Sequence, residues 1–267
     1  MVLDLESAGT GVPVLAVPPF PFDHDVYRPQ LEAAAAGELP CELVAVKPPG
    51  FGGSAWPAAH PPVLRVEDLA RELASVSDTL GLDRPVLVGA GLGGYAVLQA
   101  LGTDPGAFRA GLVMSCKPAG DPLTNRPLRA EAAWVALDHG AEALADLLAV
   151  ASLSAAQRTP RREQARAMVQ RADPRALAAA IWGIHLRPDP RAILDRIEVP
   201  VVVAVGAEDP VCPVADARAL ADLLADARFE VVDGCGHAPP LERPDAVTRL
   251  LAGLLTELRG SAPPVPA

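Results

Sequence analysis

Apolar residues are distributed along the chain in two alternating patterns. Val12 to Val17, Cys41 to Val46, Val86 to Val88, Phe108 to Ser115, Val199 to Val205 and Arg228 to Val232 are short runs of strand length, rich in β-branched types. Between them, Asp25 to Ala36, Val66 to Leu80, Leu92 to Leu101, Val214 to Leu224 and Leu241 to Leu258 carry helical periodicity. Glu67 and Asp68 complement the dipole in the first turn of the second helix, and Gly81 is placed to cap its end. Apolar runs with little polar alternation predict strands buried on both faces, hence a mostly parallel sheet covered by helices on both sides. The alternation stops between Arg126 and Leu186, where helical segments at Glu131 to Leu148, Pro160 to Arg171 and Pro174 to Ile184 follow one another without a strand. Such a block predicts a helical cap inserted over one end of the sheet. The expected organisation is an α/β core over 1–120 and 193–259, a cap over 121–192, and a flexible Ser/Pro/Ala-rich tail over 260–267. The chain shows no internal repeat.

Three predicted strand-end loops carry residues suited to chemistry. Val86-Leu87-Val88-Gly89-Ala90-Gly91-Leu92-Gly93-Gly94-Tyr95 reads as a strand, a sharp turn and a helix, the layout of the G-x-S-x-G nucleophile elbow. Gly91 stands where that motif has serine. Gly206-Ala207-Glu208-Asp209-Pro210 follows the strand ending at Val205, and Asp233-Gly234-Cys235-Gly236-His237 follows the strand ending at Val232. Open α/β sheets place their sites at the carboxyl ends of strands, so the three loops are expected to meet.

In this order of elbow, acid and histidine, the chain resembles the α/β-hydrolase-fold superfamily over nearly its whole length. Asp209 and His237 match the acid and histidine positions. Pro49-Gly50-Phe51-Gly52-Gly53-Ser54 is similar to the family's P-G-x-G-x-S turn, and Gly236-His237 with Leu241-Glu242-Arg243-Pro244 is similar to its G-H-x-x-x-L-E-x-P ending. Arg187-Pro188-Asp189 ahead of Ile197-Glu198-Val199-Pro200 looks like the branch containing 3-oxoadipate enol-lactonase-like proteins. The resemblance implies an α/β-hydrolase fold, a base at His237 oriented by Asp209, and an oxyanion hole from the N–H groups of Leu92 and Phe20. It departs from the family at Pro18-Pro19, at Lys47-Pro48 and, with most consequence, at Gly91. Covalent catalysis through position 91 is excluded, while glycine relieves the strain that an elbow imposes on a residue with a Cβ.

Composition narrows the partners. The 267 residues include 33 acidic against 23 basic side chains, a formal charge of −10 that opposes binding to nucleic acid or anionic membranes. With no apolar run of spanning length and no leader-like N-terminus, a soluble, cytoplasmic protein is expected. Its partner is expected to be a small-molecule or short-peptide substrate, neutral or small rather than polyanionic. Cys41, Cys116, Cys212 and Cys235 form no C-x-x-C pair and read as separate buried thiols. His24, His60, His139 and His185 show no ligand spacing, so no metal or other cofactor is expected. Tyr95 is expected to pack at the pocket, Trp182 and His185 to face it from the cap, and Asp121 to be a less well matched carboxylate than Asp209. Ser115, Cys116, Cys212 and Cys235 lie near the strand ends and read as small residues in tight turns rather than nucleophiles.

Three functions fit these residues. The first is an atypical enzyme in which the Asp209/His237 pair moves protons on a small carbonyl compound, by epimerisation, isomerisation, elimination, cyclisation or attack of an activated water. The family resemblance permits this, since some members from bacterial natural-product pathways lack the serine and carry out non-hydrolytic steps. The second is a ligand-binding protein that retains the pair as a relic. The third is an ester or lactone hydrolase whose serine has been replaced.

Overall fold

The computed structural model describes residues 4–57, 59 and 61–260. His60, and the expected tail apart from Gly260, lie outside the described residues. Among the described residues a seven-stranded sheet runs in the order β1-β3-β2-β4-β5-β6-β7. Its strands are β1 (Asp4–Gly9), β2 (Val12–Val17), β3 (Cys41–Lys47), β4 (Val86–Ala90), β5 (Ala110–Met114), β6 (Val201–Gly206) and β7 (Ala227–Val232). All neighbours pair in parallel except β1, which runs antiparallel to β3.

Successive side chains on each strand point to opposite faces, and both faces are apolar. Val14, Ala16, Leu43, Ala45 and Val88 belong to one buried cluster, with Leu31 of α1 (Arg28–Ala35) and Leu251 and Leu254 of the C-terminal helix. Leu15, Val17, Val44, Val46 and Leu87 belong to the other, with Leu73 of α2 (Val66–Leu80) and Val97 of α3 (Leu92–Thr103). The two-sided α/β sheet read from the sequence is therefore the observed architecture. Gly81 caps α2 with φ 64°, in the left-handed region that glycine enters without a Cβ clash.

Between β5 and β6 the chain forms α4 (Arg126–His139), α5 (Glu142–Ser152), α6 (Arg158–Gln170) and α7 (Pro174–Leu186). The helix expected from Glu131 to Leu148 is two helices, because Gly140 at φ 81° turns the chain between them. Alanines 133, 136, 145, 149, 165, 176 and 180 bury the inner faces of this block, and their small side chains let the helices approach closely. The sheet continues after it with β6, α8 (Val214–Ala221) and β7. The expected closing helix divides into α9 (Pro239–Glu242) and α10 (Pro244–Gly260) at Arg243, whose φ of −135° is not helical.

The edge strand β1 carried no signal in the hydrophobic pattern. Its sequence, Asp-Leu-Glu-Ser-Ala-Gly, is polar and only half buried, and its order comes from the ladder with β3 and from Glu6, which pairs with Arg28 and His24.

Candidate active site

The elbow is built by backbones in contact. A Cβ on Gly89 would stand 2.5 Å from the Gly93 carbonyl oxygen, and one on Gly93 would stand 2.5 Å from that of Val17. Only hydrogen fits at these points, so the glycines let α3 start directly over the ends of β4 and β2. Gly91, at the turn itself, has φ 50° and ψ −120°. Its N–H donates to the Met114 carbonyl at 2.9 Å, and its own carbonyl accepts from Tyr95 N–H at 3.1 Å.

Opposite the turn stands His237. Its Nδ1 lies 3.0 Å from both carboxylate oxygens of Asp209, and its Nε2 is 3.2 Å from where a Cβ on Gly91 would be. The Asp209 side chain is fully buried and that of His237 is 12 % exposed. Burial works against the Asp209 charge, but the His237 ring and the N–H groups of Cys212 and Val211 outweigh it and hold the carboxyl below the usual carboxylate range. Both N–H groups donate to Oδ1 at 2.8 Å. The acid is therefore fixed on three sides and in turn fixes the imidazole.

Glu242 holds the histidine loop. Its carboxylate, 2 % exposed, accepts from Gly236 N–H at 2.9 Å, Ala238 N–H at 3.0 Å and Ser154 N–H at 2.8 Å. The first two flank His237 and the third belongs to the chain just after α5. His237 N–H donates to the Ser152 carbonyl at 2.9 Å, a second tie from this loop to the end of α5.

A cavity of about 150 Å³ opens onto this arrangement. Gly91, Leu92, Phe20 and His237 form one part of its wall. The Phe20 ring packs edge-on against Phe51 of the Pro49-to-Ser54 turn, with centroids 6.5 Å apart. Tyr95 also lines it; burial pushes the pKa of this phenol up, and the hydroxyl oxygen accepts from Lys117 N–H at 3.1 Å.

The cap residues expected at the pocket need correction. α7 contributes Ile184 to the wall, followed by Arg187, whereas Trp182 and His185 are not part of it. Helical geometry separates the faces on which these residues sit. The His185 side chain is 3 % exposed, its Nδ1 is 3.1 Å from an Asp121 oxygen, and its ring lies 5.9 Å from that of Trp182. Asp121 itself accepts from Asn125 and from Arg129. These bonds, against the cost of burial, bring its pKa down to about 2.

Residues 14–250 match the Alpha/beta hydrolase family. The chain belongs to this family. Among similar members, the pimeloyl-[acyl-carrier protein] methyl ester esterase of Aromatoleum aromaticum is 30 % identical over 241 residues, covering 81 % of this chain and 89 % of that protein. A thermophilic esterase from Thermogutta terrifontis superposes with a TM-score of 0.87 at 27 % identity, over 96 % of this chain and 93 % of the other. The enol-lactonase from Burkholderia xenovorans LB400 gives 0.84 at 21 % identity, over 95 % and 96 % of the two chains, a likeness of fold. The superfamily read from the loop motifs is thus the observed one.

Other groups in this alpha/beta hydrolase offer less to chemistry. All four thiols are buried and free. Burial pushes Cys41 up to about 11 and Cys212 up to about 12, and drives Cys116 and Cys235 up as well, so they stay protonated at neutral pH. Glu6, His24 and Asp25 bring ligand-type atoms within 4.8 Å of one another. Arg28 bonds both Glu6 and Asp25, and Arg171 bonds Asp25 and the fully buried Asp23, so this donor set is already neutralised by guanidinium groups. No helix among the described residues is long and apolar enough to cross a membrane.

Sequence reasoning missed the places of Arg187 and Lys117 in the cavity wall and the hold of Glu242 on the His237 loop. Arg187 and Glu242 lay inside motifs used only to recognise the family. A charged residue following an apolar one in the first turns after His237, as Glu242 follows Leu241, was the available signal.

Proposed function

We propose that this chain is an atypical enzyme of its family, in which His237, oriented by Asp209, moves a proton on a small carbonyl-containing substrate without a covalent intermediate at position 91. The observation that carries the reading is the placement of Nε2, 3.2 Å from the site of a Gly91 Cβ and open to the cavity, on a ring whose other nitrogen is held by both Asp209 oxygens. In the neutral ring, Nδ1–H donates to Asp209 and leaves the Nε2 lone pair facing the cavity as a base. A reacting group over Gly91 would lie beside Leu92 at the start of α3 and beside Phe20, from which backbone donors could stabilise a developing oxyanion. Nε2 takes a proton from the carbon next to the carbonyl, and the resulting imidazolium returns it to carbon in epimerisation or isomerisation, or delivers it to the departing group in elimination and to the departing or newly formed oxyanion in cyclisation. Such steps suit a place in natural-product biosynthesis.

Activation of a water by the same nitrogen is the second reading, favoured by the 30 % identity to a methyl ester esterase. The products separate the two, since only the water reaction cleaves an ester or lactone.

The test is a panel of small esters, lactones and ketones incubated in deuterated buffer, with proton exchange followed by NMR and cleavage by mass spectrometry. Replacing His237 by Ala is expected to lower the rate by at least about a thousandfold, and Asp209→Asn to lower it through misorientation of the ring. Equal rates in His237→Ala would remove the proposal. Binding of panel compounds without turnover by the native protein would instead identify a ligand-binding protein that keeps the pair as a relic.

A further inference from the structure

Beyond the acid/base pair, the cavity wall is unusual in its balance of donors and acceptors. Lys117, Arg129 and Arg187 contribute three cations to the lining, against the single carboxylate of Asp121. Asp121 is already saturated by Asn125, Arg129 and His185. Asp209, just behind His237, is occupied by the ring and by two backbone N–H groups. That leaves Arg187 and Lys117 as positive charge without a countercharge from the wall.

Arg187 is the more informative of the two. It is only 7 % exposed, yet its hydrogen bonds go to the carbonyl oxygens of Ile184 and Ala119, each at 2.8 Å, and to the Tyr95 hydroxyl at 3.4 Å. Its guanidinium carbon sits 4.3 Å from the centre of the Tyr95 ring, and its Nε has no partner. Neutral carbonyls and a ring face orient the group but do not cancel its charge. A buried charge without an ion-pair partner is unfavourable, and an anion in the same cavity is what offsets it. Ser115, next to Lys117 in the lining, adds a buried hydroxyl that also lacks a partner. The wall thus gathers two cations and an unengaged hydroxyl in a chain whose overall charge is −10.

We propose that this cavity takes a small ligand bearing a single carboxylate, held by Arg187 and Lys117 beside Tyr95 and Ser115, with its reacting carbonyl directed toward His237. The cavity volume of about 150 Å³ sets the scale. A cavity of this size holds a molecule comparable to benzene, so the buried portion of the ligand has on the order of six to eight non-hydrogen atoms. A polyphosphate or a long acyl chain would have to extend out of its open side. The proposal rests on the reading that this cavity is the functional site, but its test does not require turnover.

Titration calorimetry with butanoate, hexanoate and benzoate, each against its primary amide, measures the contribution of the charge on the native protein. The carboxylates are expected to bind at least about tenfold more tightly than the amides, with affinity falling as salt is raised. Lys117→Met is expected to weaken carboxylate binding several-fold, and Arg187→Met by at least about thirtyfold, with amide binding falling less than carboxylate binding in both, so that the acid/amide ratio drops. Arg187 also ties Ala119 to α7, so a folded state must be confirmed by circular dichroism; if Arg187→Met does not fold, the native carboxylate/amide ratio and Lys117→Met decide the matter. Equal affinity for acids and amides, or undiminished carboxylate binding in folded Lys117→Met and Arg187→Met, would overturn the proposal. Carboxylate selectivity in a protein that turns over no substrate would leave this inference standing and remove the catalytic reading.

Discussion

Placing a side chain on Gly91 tests the geometry of the site most directly. The turn holds this residue at φ 50° and ψ −120°, a conformation that costs a residue with a Cβ about 1–3 kcal/mol. The new Cβ would also lie 3.2 Å from His237 Nε2 and 3.6 Å from Pro19 Cβ. The ring must yield by a few tenths of an ångström, against the Asp209 bonds that hold it, adding about 0.5–1 kcal/mol. Loss of glycine's freedom in the unfolded chain returns about 0.4–1 kcal/mol. The net destabilisation is about 1–3 kcal/mol for Gly91→Ala and for Gly91→Ser alike, a fall in Tm of about 2–5 °C for a chain of this size. The two variants differ in chemistry, because only serine carries an oxygen within reach of Nε2. Scanning calorimetry reads the first effect, and intact-mass analysis after treatment with a fluorophosphonate reads the second. The serine variant should gain one adduct, while the native and alanine proteins gain none at position 91. A variant as stable as the native chain would refute the strain argument. A folded Gly91→Ser protein that stays unlabelled would refute the placement of His237.

Two further perturbations probe the supports of the site. Glu242→Ala removes the acceptor of three buried N–H groups, and is expected to cost about 2–4 kcal/mol by chemical denaturation and to loosen the His237 loop, seen as faster hydrogen exchange at Gly236 and Ala238; Glu242→Gln should cost less, and a change within experimental error would contradict the assigned bonds. Asp121 supplies a pH signature: its pKa falls from the ordinary 3.8 to about 2 on folding, so its stabilisation is complete above pH 4 and lost as pH drops toward 2. Discounted for the open side of the cavity, this amounts to about 1 kcal/mol, and Asp121→Asn should flatten the native chain's fall in stability across that window. An unchanged slope in that variant would show that other carboxyls govern it.

The sequence by itself determined the architecture and the pairing of Asp209 with His237. β-branched runs such as Val86 to Val88 and Val201 to Val205 are buried on both sides, and their apolar character depends on no particular partner, so it could be read locally. The order of Gly91, Asp209 and His237 at strand ends was equally readable, because a parallel sheet brings all such loops to one edge. β1 was not, since it draws its order from β3 and from Glu6 contacts with residues 24 and 28. Helix breaks at Gly140 and Arg243 were also missed, as a backbone dihedral outweighed an uninterrupted periodicity.

Tertiary structure alone decided the cavity wall. Helical spacing offered Trp182 and His185 as readily as Ile184 and Arg187, and the choice depends on how α7 lies against the core. Gly183 fixes that: a Cβ there would stand 2.0 Å from the Leu64 carbonyl oxygen, so α7 rests on this loop through a hydrogen atom. That contact joins positions far apart in the chain. No local pattern encodes it, and with it comes the placement of Arg187 over Tyr95 and the charge of the cavity.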